Sequence, residues 1–120
     1  MIMPVNQRTV LVVEDDHLIL LNARILLENA GLSVLVANDA LQALELLDAR
    51  PEVSALFTDV IMPGPIDGLA LAEEVSRRRP DIPVFITSGS PETAQRTLPA
   101  SASFLPKPYT ANQLTSLLVA

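Results

Sequence analysis

The sequence predicts a doubly wound α/β domain, a five-stranded parallel sheet with helices on both faces. Three observations lead there. Short apolar runs alternate with segments of helical periodicity, β then α, five times over. The first four runs are mostly β-branched or aromatic and lack strict polar alternation, as strands covered on both faces do. Capping residues and breakers fall at the changeovers. Strict alternation argues for parallel pairing, and right-handed crossovers leave only a few topologies.

The elements follow in order. The first strand is TVLVV (9–13). After Asp16 comes HLILLNARILLENAG, a helix with Leu18, Leu21, Ile25 and Leu26 along one face and Gly31 positioned to stop it. The second strand is SVLVA (33–37), and Asp39 with Gln42 makes a capping box for ALQALELLDAR, which Pro51 closes. The third strand, SALFT (54–58), precedes a loop and then GLALAEEVSRRR, capped by Asp67 and ended by Pro80. After PVFIT (83–87), Ser90 and Pro91 open a fourth helix, kept short because Pro99 disfavours helical geometry at Leu98. SFLP (103–106) is the fifth strand, and Thr110 with Gln113 opens the last helix, ANQLTSLLVA.

Composition narrows the function. At 120 residues, 1–120 is expected to be a single domain, large enough for a core without staples. No apolar run approaches the roughly 18 residues that span a bilayer, and MIMPVNQRTV lacks the pattern of a secretion signal. The absence of cysteine excludes disulfides and thiolate metal sites, and the one histidine leaves little room for zinc. A net charge of −6 argues against a nucleic-acid surface. The run Arg77–Arg79 sits at a helix end, where cations suit the dipole. A cytoplasmic domain that binds neither nucleic acid nor membrane is expected.

In open α/β sheets, ligands bind beyond the carboxyl ends of the strands. Glu14, Asp15 and Asp16 follow the first strand, Asp59 the third, Thr87 and Ser88 end the fourth, and Lys107 follows the fifth. Each has an ordinary reading on its own. The acids could cap the first helix, Thr87 could be a strand-end hydroxyl, Lys107 a surface amine, and His17 an exposed first-turn residue. Four independent positions at the correct ends of four strands argue for a set. Glu14, Asp15 and Asp59 would repel one another in a shared crevice, so a proton or a cation must intervene. Oxygen-only ligation suits a hard ion, Mg²⁺ above all. A hydroxyl and a lysine on the far side of Asp59 would cradle a phosphoryl group arriving on that carboxylate.

These residues resemble the receiver domain of bacterial two-component response regulators over positions 8 to 119. VLVVEDD is similar to the family's acidic pair, TDVIMPG to its phosphoacceptor motif, FITSG and FLPKPY to its hydroxyl and lysine motifs. The resemblance implies the flavodoxin-like strand order 2-1-3-4-5. It implies Mg²⁺ held by Glu14, Asp15, Asp59 and the carbonyl of Ile61, and a cis Lys107–Pro108 bond. It also implies phosphotransfer to Asp59 from a sensor histidine kinase or a histidine phosphotransfer protein. Thr87 would then move toward the phosphoryl group and Phe104 would swing inward. The surface of the fourth helix, fifth strand and fifth helix would be remodelled for a downstream partner, a fused output domain or a phosphorylation-dependent dimer. Catalysis is confined to self-catalysed phosphotransfer and autodephosphorylation, so a metabolic enzyme is not expected.

Three departures from the family pattern stand out. MPGPIDG has one residue more than the commonest MPxxDG spacing, so the loop after Asp59 is expected to differ in shape. Pro99 shortens the fourth helix, and Phe104 has no tyrosine hydroxyl. Apolar Ile61 and small Gly89 are expected to orient a hydrolytic water poorly and prolong the phosphoryl state. Two other functions compete. A phosphorylation-independent interaction domain with this fold usually lacks the acceptor, the acid pair or the lysine, all present here. A phosphohydrolase would want a second acid two residues after the nucleophile, where Ile61 stands. No DNA-binding output domain is recognisable, so the chain acts alone, relays phosphate or belongs to a longer protein, and its abrupt end in LLVA fits the last.

Overall fold

The computed structural model describes residues 8–89, 98–99 and 102–119. Strand β1 (Thr9–Val13) is buried along its whole length. Val10 and Val12 enter one hydrophobic cluster, Leu11 and Val13 another. That two-residue period, apolar on both faces, is what a central strand requires. β1 pairs in parallel with β2 (Ser33–Ala37) and β3 (Val53–Asp59). β3 pairs with β4 (Val84–Ser88), and β4 with β5 (Ala102–Pro106). The order is β2-β1-β3-β4-β5, as predicted.

Helices cover both faces. α1 (His17–Asn29) and α4 (Ala111–Val119) pack on the side of Val10, Val12, Phe57 and Phe85. α2 (Ala40–Ala49) and α3 (Gly68–Arg78) pack on the side of Leu11, Leu56, Val84 and Ile86. The helix expected from Ser90 lies outside the described residues. β3 runs one residue further at each end than its apolar core suggested, so Asp59 closes the strand itself.

The caps follow the sequence. Asp16, Asp39 and Asp67 accept main-chain hydrogen bonds at the starts of α1, α2 and α3. Thr110 and Gln113 exchange hydrogen bonds of 3.1 and 2.8 Å, a reciprocal capping box before α4. Gly31 takes φ 95° just past α1, a left-handed conformation that favours glycine. Arg77, Arg78 and Arg79 pair with Glu74, Asp48 and Asp81, in keeping with a helix-end role.

One expectation is corrected. Leu18, Leu21 and Ile25 do not form the core face of α1; they are exposed, Leu18 by 79%. The buried face is Leu20, Ala23 and Leu27, with Leu26 partly buried beside it. Apolar residues lie all round this helix, so periodicity alone leaves its rotation open. Small Ala23 lets the helix lie close to the sheet along the face that is buried.

A register shift between Thr9 and Val10 sits at the start of the β1–β3 ladder. The Ser54 hydroxyl mends it, accepting from the Thr9 N–H at 3.0 Å. Beyond that shift the strand ends run in step, which sets Asp59 opposite Thr87.

Candidate functional site

The carboxyl ends of β1, β3, β4 and β5 converge on Asp59. Its Oδ1 accepts from the Val60 N–H at 2.7 Å and its Oδ2 from Lys107 Nζ at 2.9 Å. Lys107 also lies 3.6 Å from Glu14 Oε2. Glu14 Oε1 in turn accepts from the Asp16 N–H at 3.1 Å. Glu14 and Asp59 are buried, whereas Asp15 is exposed. Carboxylate oxygens of Glu14, Asp15 and Asp59 lie within 4.8 Å of one another, the spacing a shared cation needs. The donor set is all oxygen, which fits Mg²⁺ better than a softer ion.

Charge balance follows from burial. Loss of solvent pushes the Glu14 carboxyl up to about 7. The Asp16 N–H pulls it down, the Asp59 charge pushes it up again, and Lys107 opposes both upward effects. Burial alone would lower the Lys107 ammonium, but the hydrogen bond and charge of Asp59, then the charge of Glu14, hold it above its ordinary value. Lys107 therefore stays cationic across the physiological range.

On β4, Thr87 is buried, and its hydroxyl has no hydrogen-bond partner among the described residues. A buried hydroxyl is costly to leave without a hydrogen bond. Ile61 is 72% exposed, and a Cβ on Gly89 would meet nothing within 4 Å. Phe104 stands on β5 opposite Ile86 and packs partly buried against the α2–α3 side of the core. The Lys107–Pro108 bond is cis.

Asp16 serves as the α1 cap, with hydrogen bonds of 2.9 and 3.2 Å from the Leu18 and Ile19 N–H groups. Exposed His17 opens the helix. The sequence reading missed Tyr109, whose ring meets Phe57 edge-on at 5.8 Å and whose phenol feels Lys107, Glu14 and Asp59. It also missed Thr58 and Gly68, which touch the Asp59 main chain. The aromatic after KP and the DG pair were the signals available.

Fold and site together define a class: doubly wound domains with an acid pair after the first strand and a lysine-bound aspartate at the end of the third. A family model for the response regulator receiver domain matches residues 10–119, and the chain belongs to that family. Among curated relatives, the sensor kinase CckA of Brucella abortus is 38% identical over 112 residues, 90% of this chain and 12% of that protein. The response regulator MprA of Mycobacterium leprae is 34% identical over 108 residues, 88% of this chain and 46% of that protein. The chain thus spans less than half the length of either. Among solved structures, a receiver domain from Clostridium thermocellum superposes with TM-score 0.80 at 28% identity, covering 93% of this chain and 90% of that one. NtrX of Brucella abortus superposes at 0.81 and 30% identity, covering 92% of this chain and 26% of that one.

Membership places the chain in phosphorylation-controlled two-component signalling, in a family that binds Mg²⁺ at an acidic pocket and is not in general enzymatic in its own right. No described helix is long and apolar enough to cross a membrane.

Proposed function

We propose that the chain is a signalling switch that takes a phosphoryl group onto Asp59 from a histidine kinase or a histidine phosphotransfer protein. One observation carries this reading. The Asp59 carboxylate is held between Lys107 Nζ and the Val60 N–H, with two further carboxylates within 4.8 Å and, on the next strand, a Thr87 hydroxyl that has no partner among the described residues.

A carboxylate oxygen of Asp59 attacks the phosphorus, a P–O bond forms, and the P–N bond to the donor histidine breaks with its electron pair on nitrogen. Glu14, Asp15, Asp59 and the Ile61 carbonyl would hold Mg²⁺, which when bound neutralises charge on the phosphoryl oxygens. Lys107 supplies fixed positive charge on the other side and keeps the nucleophile oriented beforehand. Thr87 then donates its hydroxyl to a phosphoryl oxygen, and Phe104, one strand over, follows. The result biases a two-state equilibrium in the surface around β5 and α4, which a partner, a fused output domain or a second copy reads. Phosphoryl transfer and its hydrolysis are the only chemistry asked of the chain.

Intact mass after acetyl phosphate treatment tests this. A Mg²⁺-dependent phosphate adduct is expected on the wild type and absent from Asp59→Ala. A folded protein that binds Mg²⁺ and gains no adduct would depend strictly on its kinase. No adduct and no Mg²⁺ binding would favour a phosphorylation-independent interaction domain.

A further inference from the structure

Asp59 is gripped by its backbone as well as by its carboxylate. The fully buried Thr58 donates its hydroxyl to the Asp59 carbonyl at 2.9 Å. Gly68, the first residue of α3, is packed against that same carbonyl. A Cβ on Gly68 would lie 1.8 Å from the Asp59 oxygen, 2.7 Å from its carbonyl carbon and 2.8 Å from Val60 Cα. All three obstructing atoms are backbone, so no side chain could swing aside to admit it. The Gly68 N–H also donates to the Val60 carbonyl at 2.8 Å. Val60 returns the connection, its N–H lying 2.7 Å from Asp59 Oδ1 and 3.1 Å from the Thr87 carbonyl.

We infer that Thr58 and Gly68 are positioning residues, clamping the Asp59 carbonyl so that the carboxylate holds its place between Val60 and Lys107. The connection from Val60 to Asp67 makes the clamp useful. It carries the extra residue of MPGPIDG, and a longer loop by itself restrains the strand end less. Seating α3 directly on the Asp59–Val60 peptide removes that freedom. The inference rests on the reading of Asp59 as phosphoacceptor and adds to it the means by which the acceptor is held.

A merely structural role for either residue would affect stability alone, so the test needs a second readout. Mg²⁺ affinity by calorimetry, the initial rate of acetyl phosphate adduct formation and the melting temperature are measured on Thr58→Val, Thr58→Ser, Gly68→Ala and Val75→Ala. Thr58→Val keeps the shape and loses the hydroxyl; it is expected to weaken Mg²⁺ binding roughly three- to tenfold, the range of one lost hydrogen bond, and to slow phosphoryl uptake in step. Thr58→Ser should return both to within about twofold of wild type, because it restores the donor. Gly68→Ala should cost about tenfold or more in affinity, since the backbone around Asp59 must move. Val75→Ala loosens α3 away from the site and should lower the melting temperature without changing affinity. The inference is overturned if Thr58→Val melts lower yet binds Mg²⁺ and takes up phosphate like wild type. Should Gly68→Ala not fold, the Thr58 pair decides the matter. A wild-type protein that neither binds Mg²⁺ nor takes up phosphate overturns the parent reading and this inference together, a result distinct from failure of the variants alone.

Discussion

Glu14 is the residue on which the electrostatics of the site turn. Buried beside Asp59, its carboxyl is pushed up to about 7, so the folded chain holds this proton more tightly than the unfolded chain does. Its contribution to stability is complete below its ordinary carboxylate range and is lost as pH rises through about 7. Metal-free Glu14→Gln should therefore gain on the order of 1 kcal/mol over wild type between about pH 5 and pH 8. Urea unfolding in chelator at the two ends of that range checks it; parallel stabilities at both would contradict it. A second residue-scale expectation concerns hydrolysis. Exposed, apolar Ile61 and the open space at Gly89 offer no polar side chain to orient an attacking water, so the phosphoryl state should outlast a few seconds. Loss of the phosphate adduct within seconds, followed by mass, would contradict this. Glu14, Asp15, Asp59, Thr87 and Lys107 could be read from the sequence because each directly ends or follows an apolar strand run. Thr58, Gly68 and Tyr109 were harder to read, because the DG pair and the aromatic after KP do not say which backbone or ring they meet, and a threonine beside Asp59 does not say where its hydroxyl points.

At the scale of elements, strands were more legible than helix faces. A strand needs only a period of two, and β1 and β2 keep the limits their sequences suggested. Caps were legible too, since Asp16, Asp39, Asp67 and Thr110 act through neighbours two or three residues away. The rotation of α1 was not, because Leu18, Ile19, Leu20, Leu21, Ile25, Leu26 and Leu27 surround it with apolar side chains. The structure separates them, and stability should follow. Leu27→Ala should cost about 2–5 kcal/mol, while Leu21→Ala should change stability by no more than about 0.5 kcal/mol. Denaturant unfolding of both variants checks the assignment, and equal losses would mean that α1 is turned differently.

For the molecule as a whole, the sheet gathers its chemistry at one rim and passes the consequence along its edge. β3 carries Asp59, β4 Thr87, and β5 both Phe104 and the strand end that leads into Lys107. In the proposed switch, a charge added at Asp59 would reach the β5 and α4 surface through two strand pairings, β3 with β4 and β4 with β5. The proposed switch depends on covalent chemistry at one carboxylate, and borohydride trapping reads that chemistry directly. Reduction of the phosphorylated protein converts an aspartyl phosphate to homoserine, which peptide mass analysis locates. Homoserine at position 59, dependent on Mg²⁺ during phosphorylation, is the result predicted. Homoserine at any other position, or an adduct that yields none, would contradict the assignment of Asp59 as the acceptor.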